Sequence, residues 1–235
     1  LANAGYKEIF FRDENFTANK KRVLQICQGL KDKKIDLTWV CSTRVDILDY
    51  QMMTEMKSAG CHLLRLGVES GVQELLDNIK KGITIEQIRQ VFFWAKELNL
   101  DTHAHLMVGL PGETRKTLET TLKFVFQISP TIVTFGILTP YPGTPLFAEI
   151  KARYPGVGDG TKASLEKLHT HSYYNQYFTD LSPEELSAFV RRAYKKFYLR
   201  PSYLFSWLKR IKSLDEFKRV LLAGTQVFEF VLGKD

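Results

Sequence analysis

The 235-residue sequence predicts an α/β fold in which parallel strands form a curved, barrel-like sheet wrapped by helices, followed by a C-terminal helical region. Three observations carry that prediction. Apolar or aromatic runs of strand length alternate with stretches of helical periodicity, and strands separated by helices demand parallel pairing with right-handed crossovers. Within the strands the two faces differ: Ala104, Leu106 and Val108 oppose His103, His105 and Met107, while Leu64, Leu66 and Val68 oppose Arg65, Gly67 and Glu69. A flat, doubly wound sheet is apolar on both faces beneath its helices, whereas a barrel with a wet lumen turns polar side chains inward, so Arg65, Glu69, His103 and His105 are expected to face a lumen. Third, the residues that follow the strands change character together, to glycines, carboxylates, hydroxyls and a guanidinium.

The elements follow in order. Leu1-Ala-Asn-Ala-Gly5 reads as the last turn of a helix with Gly5 as its terminal glycine, and the chain as a piece of something longer. Residues 7–13 have the aromatic content of a strand, and residues 19–33 place Val23, Ile26, Cys27 and Leu30 at helical spacing. Strand, helix, strand then repeats over residues 37–43, 50–59 and 62–68. A helix starts at Thr84, where Gln87 three residues on makes a capping box, and buries Ile85, Ile88, Phe92, Ala95 and Leu98. Residues 101–108, 114–128 and 131–138 complete the alternation as strand, helix and strand. This barrel part is expected to occupy residues 1–150, and residues 151–235 a connecting segment and a helical region. Residues 153–179 show little periodicity. Ser182-Pro-Glu-Glu185 is a strong helix start, with a hydroxyl cap, proline at the first helical position and acids in the first turn, and Leu186, Phe189, Val190, Ala193 and Phe197 follow on one face. Further helices fit residues 203–211 and the stretch capped by Ser213.

Composition bounds the function. The chain has 44% hydrophobic residues, no run approaching a membrane span and no secretory leader pattern at its start, which makes the cytoplasm the expected location. Cys27, Cys41 and Cys61 are odd in number and widely spaced, which fits neither a disulfide framework nor a metal knuckle; each sits in an apolar pattern and reads as a small core residue. Of the net charge of +7, most arises in residues 182–235, where 11 Lys and Arg face 6 Asp and Glu, so no basic strip for nucleic acid accompanies the barrel. The basic tail reads as a solvated helix face, with an anionic substrate or membrane surface as the other possibility.

Asp13-Glu-Asn-Phe16, Ser42-Thr-Arg44, Glu69-Ser-Gly71, Gly109-Leu-Pro-Gly-Glu113 and Pro140-Tyr-Pro-Gly-Thr144 all follow strands and would share one rim. The Gly109 turn stops an apolar run abruptly, and its glycines can take positive φ and let a flat ligand lie on the backbone. Together these groups suit a zwitterionic, ribose-bearing and adenine-bearing ligand. In their order, and including Arg44-Val-Asp46, Leu66-Gly-Val-Glu-Ser-Gly71 and Thr139-Pro-Tyr-Pro-Gly-Thr-Pro145, they resemble the radical SAM superfamily, specifically its cobalamin-binding branch, over about residues 1–150.

The resemblance implies a partial, open (β/α) barrel, TIM-barrel-like, whose CxxxCxxC loop carries an iron-sulfur cluster that cleaves S-adenosylmethionine reductively to a 5'-deoxyadenosyl radical. It places Asp13 near the methionine moiety, Arg44 near its carboxylate, Glu69 and Ser70 near ribose or carboxylate, and Met107, Val108 and Gly109 along the adenine. Arg65, His103, His105 and Tyr141 are candidates for facing substrate. No CxxxCxxC occurs in the chain, and its three cysteines come from no single loop, so cluster and cobalamin ligands are expected upstream in the same polypeptide. The expected activity is a cobalamin-dependent methyl transfer or anaerobic oxidative cyclisation of a small, hydrophobic molecule, the cofactor supplying the radical chemistry and the barrel the positioning. Three other readings stay open: a tRNA methylthiotransferase, disfavoured by the helical rather than β-rich tail; a non-catalytic S-adenosylmethionine-binding module; and a barrel lyase using His103 or His105 as acid or base. The two histidines, two apart on one strand face, also have the spacing of a metal-ligand pair.

Overall fold

Four of the strands begin just after a helix has been stopped by a residue in the left-handed region. The computed structural model, which describes residues 1–157, 159 and 177–210, shows the pattern at Lys34, Gly60, Asn99 and Ser129, with φ of 48°, 95°, 51° and 46°. These residues end the helices α1 (Lys20–Asp32), α2 (Tyr50–Ser58), α4 (Ile85–Glu97) and α5 (Arg115–Ile128), and they lead into β2 (Thr38–Thr43), β3 (Cys61–Glu69), β4 (Asp101–Val108) and β5 (Ile132–Ile137). At two of them the N–H two residues past the helix cap reaches back to close the end, Ile35 to the Leu30 carbonyl at 3.0 Å and Leu100 to the Ala95 carbonyl at 2.8 Å. The helix starts are equally explicit. Asn19, Asp49, Thr84 and Thr114 each accept a hydrogen bond from the backbone N–H three residues on, and Thr84 with Gln87 forms the expected capping box.

β1 (Glu8–Phe11) and the four later strands form one sheet in the order β1-β2-β3-β4-β5, parallel wherever the pairing register is defined. The first and last strands are both edges, so the sheet is open. Register sets the faces: Ser42, Arg65 and His103 stand side by side, as do Cys41, Leu64 and Thr102. The second set lies on the helix side, where Leu64, Leu66, Val68, Ala104, Leu106, Val108 and Val133 are buried with Met52, Met53, Met56, Ile88, Val91, Leu122 and Val125. Trp39 anchors this layer: it is fully buried, donates its indole N–H to the Ala59 carbonyl at 2.7 Å and packs on Phe11 and Phe16. Cys27, Cys41 and Cys61 are buried free thiols, as expected of small core residues.

The short helix α3 (Gln73–Asn78) was not legible as a periodic segment. It follows Gly71, against which α5 packs so closely that a Cβ there would meet Phe124 Cβ at 2.5 Å and Thr121 Cα at 2.9 Å. Neither atom is a flexible end. Gly71→Ala is therefore expected to lower stability by about 1–3 kcal/mol, as overpacking does in close-packed cores; an unchanged urea midpoint would contradict this contact.

The first compact unit ends at Gly136 and a second begins at Ile137. The second unit opens with α6 (Pro145–Arg153), started by the Thr144 cap and Pro145, and a 3-10 turn at Pro155–Val157. Phe147, Ile150 and Val157 form a small core with Tyr141, Tyr177 and Phe178 against it. α7 (Pro183–Tyr198) begins at the Ser182–Glu185 capping box and buries Leu186, Phe189, Val190, Ala193 and Phe197, and α8 (Pro201–Arg210) follows. The helix expected after Ser213 and most of the segment 153–179 lie outside the described residues. Among the described residues no helix is long and apolar enough to cross a membrane.

Candidate functional site at the strand carboxyl ends

The rim begins with a strand that ends out of register. β3 slips against β4 between Gly67 and Glu69, and Glu69 takes φ 61°, unusual for a residue with a side chain. That conformation keeps its carboxylate on the lumen side, above Gly67, where Lys81 Nζ bonds it at 2.6 Å. A Cβ on residue 67 would meet Glu69 Oε1 at 2.7 Å and Lys81 Nζ at 2.9 Å, so glycine here makes room for an ion pair. Lys81 is brought over the sheet by two left-handed residues, Lys80 at φ 53° and Gly82 at φ 69°. Arg44, after β2, joins the same patch. It grips Asp46 through Nε and Nη2 at 3.0 and 2.9 Å, and Nη2 also donates to the Lys81 carbonyl at 2.8 Å. This leaves its Nη1 amino group outside these contacts. Arg44, Glu69 and Lys81 are thus one connected group, of which Lys81 was not foreseen.

The turn after β4 is built around a buried acid. Gly109 and Gly112 take φ of 76° and 81°, and Glu113, only 1% exposed, accepts hydrogen bonds through Oε2 from the N–H groups of both Gly109 and Leu110. Burial pushes the Glu113 carboxyl up to about 7, against the opposing pull of those two N–H groups. Part of the glycine backbone is therefore committed internally, and the turn owes its shape to Glu113 as much as to glycine.

Deeper in the lumen lies a chain of hydrogen bonds. Arg65 Nε donates to His105 Nε2 at 3.2 Å, His105 Nδ1 lies 2.9 Å from Thr134 Oγ1, and Thr134 Oγ1 lies 3.2 Å from His103 Nε2. Because arginine only donates, His105 Nε2 accepts, so a neutral His105 carries its proton on Nδ1 and gives it to Thr134. The Thr134 hydroxyl then has His103 Nε2 as its acceptor, and His103 keeps its proton on Nδ1. The rings stack at 4.0 Å, as neutral rings can. Burial, then the neighbouring His105 and Arg65, hold His103 down at about 3, and burial with Arg65 and Lys81 holds His105 at about 4. Arg65 forms no ion pair with Glu69; each has another partner.

Not all expected residues gather here. Ser70 is fully buried on the helix side, 3.2 Å from Thr121 Oγ1 of α5, and accepts from the Val72 N–H at 3.2 Å. The turn at Glu69, whose φ of 61° interrupts the strand, and the contact with α5 set Ser70 apart from the Glu69 carboxylate, with which the resemblance groups it beside ribose or carboxylate. Val108 likewise is buried among the outer apolar residues, so only Met107 of the adjacent pair shares the lumen face. Asp13 lies past β1, exposed and 2.8 Å from Arg22, whose guanidinium holds its carboxyl below the usual range. Tyr141 belongs to the second unit, where its carbonyl accepts from Thr144 N and Oγ1 at 3.1 and 2.7 Å.

The cysteines do not fit an iron-sulfur cluster. All three are buried in the core and come from α1, β2 and β3, not from one loop that could present thiolates to a cluster. Among the described residues no group of three or more His, Cys, Asp or Glu converges on a metal position, and the His103–His105 pair is spent on Thr134 and Arg65. The rim does fit a zwitterion that carries a diol: two cations for a carboxylate, and one carboxylate for an ammonium or hydroxyls.

Comparison with known proteins gives the same direction. A family model described as the Radical SAM superfamily matches residues 1–125. A Pyrococcus horikoshii protein named as an uncharacterized methyltransferase is 34% identical over 200 residues, covering 85% of this chain and 42% of its own length. The anaerobic magnesium-protoporphyrin IX monomethyl ester cyclase of Cereibacter sphaeroides is 28% identical over 239 residues, 94% of this chain and 37% of that protein. The chain therefore spans about two fifths of these relatives. Among solved structures, the radical S-adenosylmethionine methyltransferase TsrM of Kitasatospora setae superposes with a TM-score of 0.61 at 23% identity over 67% of this chain and 30% of that one. The cobalamin-dependent S-adenosylmethionine radical enzyme OxsB superposes with a TM-score of 0.64 at 15% identity over 97% and 39%. Both likenesses concern the fold.

Proposed function

The chain belongs to the radical SAM superfamily, and from that premise we infer that it serves in a cobalamin-dependent radical SAM enzyme of the cytoplasm, a methyltransferase or an anaerobic oxidative cyclase acting on a small molecule with an apolar body. One observation carries the reading: Arg44, Lys81 and Glu69 form a single charged patch at the carboxyl ends of β2 and β3, on the same rim as the Gly109 turn after β4. Methyl transfer and cyclisation are the activities named for the relatives from Pyrococcus and Cereibacter, and cobalamin is named for TsrM and OxsB.

In this reading S-adenosylmethionine, when bound with a reduced cluster whose ligands lie outside the described residues, supplies a 5'-deoxyadenosyl radical. The chain's own residues bind and orient. Arg44, through Nη1, and Lys81 receive a carboxylate; Glu69 accepts from hydroxyl or ammonium donors; the Gly109 backbone, free of a Cβ, borders the adenine with Met107. His103 and His105, held neutral, keep their protons on Nδ1 and stay out of acid-base exchange near pH 7.

Calorimetry of S-adenosylmethionine and S-adenosylhomocysteine against the purified chain tests the assignment. A charge-assisted hydrogen bond contributes about 1.5–3 kcal/mol, so Arg44→Ala should weaken binding roughly tenfold to a hundredfold. Gly109→Val, with φ 76° and a branched side chain on the adenine surface, should weaken both ligands at least as much. Unchanged affinity in two variants that remain folded would show that the ligand lies elsewhere.

A further inference from the structure

Two arginines on the lumen side have no acidic partner among the described residues. Arg12 follows β1 in the alternation that places Phe10 on this face, and its Cζ lies 5.1 Å from the Phe10 ring centroid; Arg65, from β3, lies 5.0 Å from the same ring. Of the other charges on this face, Arg44 pairs with Asp46 and Lys81 with Glu69, while Asp101, two residues before His103, accepts from Thr131 Oγ1 at 2.9 Å. The lumen therefore holds two uncompensated cations at one aromatic ring. Behind Arg65 runs the directional chain through His105 and Thr134 to His103, whose Nδ1–H is its last donor and has no acceptor among the described residues. Val40, Leu63 and Met107 share the face and supply apolar lining.

We propose that Arg12, Arg65 and the Nδ1–H of His103 form a binding site for the terminal oxyanion of an apolar substrate, a carboxylate or a phosphate ester. The proposal rests on the reading that the barrel lumen receives the substrate, and it adds the substrate's charge and polarity. The two guanidiniums, one from just past β1 and one from β3, meet at the same ring, and Phe10 holds both by cation-π contact without neutralising them, which leaves their N–H groups for an anion. The hydrogen-bond chain aligns its members so that each polarises the next, which makes the final N–H a stronger donor than an isolated imidazole. An ammonium-bearing substrate would meet two like charges at this ring.

Titration calorimetry of the chain with octanoate, octyl phosphate and octylammonium at low salt provides the test. Saturable binding of either anion, weakening with added sodium chloride, and none of octylammonium is the expected result. The tighter anion identifies the headgroup as carboxylate or phosphate. Arg12→Ala and Arg65→Gln should each weaken that anion about tenfold or more, and in 15N spectra the His103 Nδ1 resonance should move on anion binding. Arg12 is exposed, so its replacement leaves the core intact. Binding of octylammonium as tight as octanoate, or full anion affinity in both variants, would overturn the proposal. The S-adenosylmethionine titration is run on the same two variants: loss of the anion with S-adenosylmethionine affinity retained separates this site from the rim, and anion binding in a chain that fails to bind S-adenosylmethionine would remove the cofactor assignment alone.

Discussion

Between pH 7 and pH 4 the protein should lose about 3 kcal/mol of stability through each of two side chains, His103 and His105. In the unfolded chain both imidazoles take up a proton below about 6.5, whereas the folded lumen holds them neutral down to about 3 and about 4. Over that window the unfolded state binds more protons, so stability falls as pH falls. The effect is fully developed only near the folded values. Urea unfolding at pH 7, 5.5 and 4 measures it, and a His103→Gln/His105→Gln variant should show a flatter profile whatever its stability at pH 7. A variant that keeps the full acid slope would mean that the rings are protonated in the native lumen and that the chain from Arg65 does not exist as drawn.

Glu113 should act with the opposite sign. Its folded value of about 7 lies above the ordinary 4.5, so the native state holds a proton that the unfolded state has released. The stabilisation is fully present below pH 4.5 and is lost as pH rises through 7, amounting to about 3 kcal/mol across the interval. Since the histidines stabilise with rising pH over part of the same range, the observable is the difference between the parent and Glu113→Gln. The amide keeps an acceptor for the Gly109 and Leu110 N–H groups and cannot titrate. The variant should gain on its parent by about 3 kcal/mol between pH 4.5 and pH 7.5, and a constant difference would show that Glu113 is ionised throughout. Glu113→Ala, by contrast, strands two buried N–H donors at the turn and should destabilise at every pH by about 2–6 kcal/mol.

The alternation of faces was legible because it depends on backbone geometry alone, and so Arg65, His103, His105 and Glu69 were placed on the lumen side from sequence. Caps were legible for the same reason: Thr84 with Gln87, Ser182 with Glu185 and Pro183 act within four residues. What failed was local conformation at strand ends. The motif groups Ser70 with Glu69, yet the left-handed turn at Glu69, invisible in the sequence, sends the two side chains to different sides of the sheet. Lys81 sits in Lys80-Lys81-Gly82, which reads as a solvated charge run; only the left-handed turns on either side fold it back over Gly67. Thr134 was hidden by its blandness, although strand alternation sets it apart from Val133 and Phe135. Arg12 falls within residues 7–13, whose aromatic content marks a strand and draws attention away from the charge. A six-residue helix such as α3 has too few turns to show a period.

The left-handed turns that end α1, α2, α4 and α5 lie at the amino ends of the strands, on the side away from the charged rim. Three of the four are occupied by Lys34, Asn99 and Ser129, residues that hold this backbone less comfortably than glycine, by roughly 1 kcal/mol for an ordinary side chain. Their side chains take no part in the lumen contacts. Substitutions that relieve the backbone at these positions can therefore raise stability without touching the charged rim. Chemistry and robustness are adjustable at opposite ends of the same strands.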